Sequence, residues 1–124
     1  TIYTPVGWTT PTDALSRQTG NVLSGGTINV DFTHAALNLN NLTVGFAGGT
    51  YALSGGAYVV DGIFSSVAGP NPTTIQCNGT CQSALSGNFG GFFAGRAGSG
   101  IGLDYNLNLS SSLVEGVVGY RRSK

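Results

Sequence analysis

One histidine, five side-chain carboxylates and two cysteines are almost all that this chain offers for acid–base, nucleophilic or metal chemistry. His34 lies in Phe32-Thr-His-Ala-Ala, just past an alternating stretch. A general base there needs a positioned partner and a nucleophile, and its neighbours supply neither, so a solvated turn is the expected place. Asp31, Asp61, Asp104 and Glu115 stand singly in polar positions; an acid/base pair would require two of them to meet in the fold. No serine lies in a G-x-S-x-G elbow, and the Gly-x-Gly run at 98–102 lacks the helix that a phosphate cradle needs. No catalytic residue is assigned, no cofactor is implied, and the chain is expected not to be an enzyme.

Cys77 and Cys81 bracket Asn-Gly-Thr. A tight turn at Asn78-Gly79 brings the two Cα atoms within disulfide reach, and closing so short a loop is worth on the order of 2 kcal/mol. The alternatives are a metal site, for which a single histidine leaves too few ligands, a redox pair, which is more typically C-x-x-C beside a helix, and free thiols. A disulfide is the expectation, and no metal site is.

The elements that position these residues read as strands. Ile101, Leu103, Tyr105, Leu107 and Leu109 fall on one face and Gly102, Asp104, Asn106 and Asn108 on the other, an unbroken period of two. Similar runs predict strands near 22–23, 27–33, 36–40, 42–47, 50–54, 57–64, 82–89, 91–94, 101–109 and 113–121. Gly48-Gly49, Gly55-Gly56 and Asn78-Gly79 are expected turns, and residues 67–74, with Pro70 and Pro72, a surface loop. Residues 1–19, carrying Pro5 and Pro11, are expected to form an extended arm or edge strand beside a single barrel domain over 20–124. Charged residues are 8% of the chain and cancel to zero net charge, which implies no nucleic-acid partner. With 40% hydrophobic residues the chain is too apolar for disorder, and it has no apolar run long enough for a transmembrane helix. It contains no methionine, which suggests a processed chain.

The order of pieces in the last third is a Phe92-Phe-Ala-Gly95 turn, a Gly102-Leu-x-Tyr105 strand and a closing Val114-x-Gly-Val-x-x-Tyr-Arg strand. It resembles the small soluble C-terminal β-barrel of transferrin-binding protein B and its relatives, and more closely the barrel ending secreted proteins of the FecR-domain type. Gly7-Trp8, the 26–32 strand and the Cys77–Cys81 hairpin fit the same pattern. The resemblance implies an all-β fold, a small antiparallel up-and-down barrel of about eight strands. It also implies export to the surface or exterior of a Gram-negative bacterium, an oxidising compartment that favours the disulfide.

Binding would fall to the aromatic residues. Phe92 and Phe93 are neighbours and point to opposite faces of a strand, so one of them faces outward, while Phe32, Phe46, Phe64, Phe92 and Tyr105 are the favoured core. Ile2, Tyr3, Val6 and Trp8 of the arm, with Phe92 and Phe93, form the candidate interaction surface. Three functions follow. The first is a structural, self-associating subunit whose arm pairs with another copy; the second is a monomeric receptor or adhesin for a surface or host protein. The third, an integral outer-membrane barrel, is disfavoured because most strands are shorter than a bilayer requires.

Overall fold

The computed structural model describes residues 1–83 and 86–123, without the side chain of Ala68. Its strands are β1 (Ile2–Trp8), β2 (Thr12–Asp13), β3 (Asn21–Ser24), β4 (Thr27–Asp31), β5 (Ala36–Phe46), β6 (Gly49–Val60), β7 (Ile63–Ser65), β8 (Thr74–Gly79), β9 (Ser86–Ala94), β10 (Gly100–Asn108) and β11 (Leu113–Arg122). Eight of them close a cycle, β5–β4–β1–β11–β10–β9–β7–β6 and back to β5. The other three prolong a neighbour: β2 continues β1 along β11, β3 continues β4 along β5, and β8 continues β7 along β6. Counted as staves, the chain runs up and down eight times and closes where the first meets the last.

Alternation sets the inside. Ile101, Leu103, Tyr105 and Leu107 are buried while Asp104 and Asn108 are exposed, and equivalent residues from all eight staves join them, among them Tyr3, Ile28, Leu39, Tyr51, Phe64, Phe89 and Val118. The barrel is thus filled by its own side chains, as small barrels are. β5 keeps its apolar face inward across a bulge: Asn41 has φ 57°, the register with β6 shifts between Leu39 and Leu42, and the inward parity moves from Leu37 and Leu39 to Leu42, Val44 and Phe46. The expected break at Asn41 is therefore a bulge within one strand.

Several expectations change for similar reasons. Gly55-Gly56 is no turn but the middle of β6. There the loop at 69–71 packs against Gly56, and Asn71 donates to Asn38 Oδ1 at 3.1 Å. The hairpin comes later, at Asp61-Gly62, whose φ values of 54° and 74° are those of a two-residue primed turn. Asn78 and Gly79 stay in the ladder opposite Thr50 and Gly49, so the chain turns after them. The strand expected over 82–89 begins at Ser86 and merges with that over 91–94 into β9; residues 84–85 of it lie outside the described residues. Phe46, Phe64 and Tyr105 are core as expected, whereas Phe32 and Phe92 are more than half exposed.

The N-terminal segment departs most. It is extended, but β1 is neither an arm nor an edge, because it pairs with β11 over Tyr3–Trp8 and with β4 at Ile2 and Tyr3. Pro5 is accommodated beside a bulge, the register shifting between Pro5 and Gly7. Tyr3 is wholly buried. Its hydroxyl donates to the Gly98 carbonyl at 2.6 Å, and Arg122 lies 5.8 Å from its ring centroid while donating to the Ala97 carbonyl at 2.6 Å. First stave, last stave and the β9–β10 turn are tied at one point.

Candidate functional site

Most of the reactive groups are spent on structure. The carboxylate of Asp31 accepts from His34 Nδ1 at 2.7 Å and from the His34 and Thr33 backbone; the His34 hydrogen bond holds it below the usual carboxylate range. Both side chains are largely in water, and no Ser, Thr or Cys side chain among the described residues hydrogen-bonds to that histidine. Asp13, which the sequence did not single out, is buried. It accepts from Ser16 Oγ at 2.6 Å and from the N–H groups of Leu113, Leu15 and Ser16, and the Ser16 hydroxyl above all brings its pKa down to about 2. It fastens the first hairpin to β11; Asp13-Ala-Leu-Ser16 was the legible sign. Cys77 and Cys81 are joined, their Cα atoms 6.0 Å apart. Among the described residues, no three His, Cys, Asp or Glu gather into a metal-binding group.

What the barrel presents is an apolar band on its outer wall. In register across six strands stand Gly7, Gly119, Gly102, Phe92, Ile63 and Val60. Glycine leaves no side chain at three of these positions, and the Phe92 ring lies over Gly102, within contact of where a Cβ would be. Val117 and Tyr58 belong to the row on the β2 side. Val6 and Trp8 flank Val117 and Gly119 around a shallow depression. Tyr58, Val60, Ile63, Phe92, Val117, Val6 and Trp8 are each 47–66% exposed. Three are aromatic, at about 150–250 Å² each when whole, and with the four smaller aliphatic side chains they leave on the order of 600 Å² open. That is the upper end of the about 300–600 Å² patch of a typical monomer.

The candidate surface residues thus divide. Val6, Trp8 and Phe92 lie in the band, while Ile2 is exposed but stands at the far end of β1, opposite Asn29 and away from the band; Tyr3 and Phe93 do not present themselves, since Tyr3 is buried and Phe93 packs edge-on against Tyr3 and Phe64. The sequence missed Val60 and Ile63, which Asp61-Gly62 would have placed opposite each other on one face. Comparison with family models, with curated proteins and with solved structures finds no match to this chain.

Proposed function

We propose that this chain is a non-catalytic β-barrel module that works by self-association, a structural subunit of an assembly outside the cytoplasm. The band carries the reading: its area is of the order of the about 800 Å² that each partner contributes to a standard interface, and its charged members are the carboxylates Asp61 and Asp104, with no Lys or Arg among them. A two-fold axis through Phe92, at the middle of the row, would pair the central stretch of the band with itself. Exchange of an N-terminal arm is no longer the route, because β1 is spent closing its own barrel. The disulfide supports an oxidising compartment, and the resemblance to secreted bacterial barrels supports a cell surface. Apolar residues inside and Asn38, Asn40, Asn108 and Glu115 outside are the reverse of a bilayer-spanning barrel.

The test is the mass of the particle by light scattering and sedimentation over a concentration series. Wild type should associate, and Phe92→Asp with Ile63→Asp should give a monomer with unchanged circular dichroism. A wild-type chain that stays monomeric at high concentration overturns self-association, and if it then captures a surface protein the receptor reading replaces it.

A further inference from the structure

A second feature of the outer wall is polar. A groove of about 480 Å³ runs between residues 9–14 and strands β10 and β11. The ladder fixes its lining: Asn106, Glu115 and Thr12 stand opposite one another in one cross-strand row, and Asp104 and Val117 in the next, neighbours in a row being about 5 Å apart. Thr9 closes the second row, accepting from the Val117 N–H at 2.9 Å. Asp13 and Asp31 have their carboxylates engaged by protein donors, Ser16 and Leu113 for the one and His34 for the other. The side chains of Asp104, Asn106 and Glu115, by contrast, make no hydrogen bond or ion pair with any described residue, although they share one groove. Past Thr9 and Val117 the surface becomes apolar at Trp8, which is half exposed.

This combination matches a particular ligand chemistry. Carboxylates accept from two hydroxyls each, the asparagine amide donates and accepts, and the Thr12 hydroxyl, which already donates to the Thr10 carbonyl at 3.1 Å, can still accept. No Lys, Arg or His lines the groove, which disfavours phosphate, sulfate or uronate. A sugar ring offers hydroxyl edges of both polarities and an apolar C–H face for an indole. Volume falls within the about 300–1,000 Å³ of small-ligand sites.

We propose that the groove binds a neutral glycan chain, with Glu115, Asn106 and Thr12 bonded to hydroxyls of one sugar and Trp8 stacked on a neighbouring one. This does not rest on self-association. The full chain is screened on a printed panel of neutral glycans, with calorimetry on cello-, xylo-, manno- and chitotetraose. At least one should bind; Glu115→Gln and Asn106→Ala should each weaken it tenfold or more with unchanged thermal unfolding, and Trp8→Ala should do likewise. Phe92→Asp, which breaks an association that would cover Trp8 and Val117, should not weaken sugar binding. The proposal is overturned if no neutral glycan binds, if Glu115→Gln and Asn106→Ala leave affinity unaltered, or if spermidine or Ca²⁺ titrates these residues while no sugar does.

Discussion

Tyr3 decides whether the first stave belongs to the barrel. Its ring is wholly buried and meets Phe93 edge-on, the centroids 6.0 Å apart. Truncating a buried aromatic side chain to alanine costs about 3–5 kcal/mol. Tyr3→Ala also strips the Gly98 carbonyl of its 2.6 Å donor and Arg122 of the ring it covers, so the loss should sit near the top of that range, about 5 kcal/mol. For a chain of this length that is a large share of total stability and a fall in Tm of roughly 15–25 °C. Tyr3→Phe, which removes only the hydroxyl, should cost about 1–2 kcal/mol. Ile2→Ala is the control: next in sequence, facing outward and partly exposed, it should cost under about 1 kcal/mol. Urea unfolding followed by tryptophan fluorescence and by circular dichroism gives all three. Should Tyr3→Ala and Ile2→Ala unfold at the same urea concentration, or should a chain lacking residues 1–8 still fold cooperatively, β1 is no stave, and arm exchange returns as a route to assembly.

Replacing Cys77 and Cys81 by serine should lower stability by on the order of 2 kcal/mol without unfolding the barrel, and mass spectrometry of the unreduced wild type should find no alkylatable thiol. Asp13 has a folded pKa of about 2, below its unfolded value near 3.9. The stability it contributes is therefore complete above about pH 4 and lost as pH falls toward 2; Asp13→Asn should be less stable at pH 7 and show a flatter acid limb in urea midpoints. The Tyr105 hydroxyl is buried without a partner among the described residues and burial pushes its pKa up to about 12, so Tyr105→Phe should stabilise by about 1 kcal/mol, read as a higher urea midpoint.

Fold class was legible because a period of two survives wherever one face is buried, and 101–109 shows it without interruption. What sequence could not supply was the account of both neighbours of a strand. Pro5 and Pro11 argued for an edge, since proline cannot donate to a ladder. Yet a barrel has no free edge to offer, and the shortage of donors is met by a bulge at Val6 and by breaking the stave before β2. Asn41 and Gly55-Gly56 misled for a related reason: residues that favour turns also serve bulges and close backbone packing, and only the partner strand distinguishes them. The surface was half legible. That one of Phe92 and Phe93 faces out follows from the pleat alone; which one does so depends on Gly91 pairing with Leu103 and Phe92 with Gly102, a register fixed by long-range contacts.

The glycines explain why the exposed side chain is an aromatic ring rather than a polar residue. Gly102 and Gly119 remove the side chains that would flank Phe92 on β10 and β11, so its ring lies down on bare backbone and covers peptide groups that would otherwise be open to solvent. A valine at Gly102 would place its Cβ 2.7 Å from the Phe92 ring, and the ring, being the flexible and exposed member, would lift. The barrel would survive, because Gly102 faces outward, but the ledge would lose its flatness. Folding alone does not require a phenylalanine held flat on an outer wall of glycine; such a surface gains most when a second surface covers it. Gly102→Val should therefore leave thermal unfolding nearly unchanged while weakening association, and a variant that associates as tightly as wild type would dissociate the ledge from the function assigned to it.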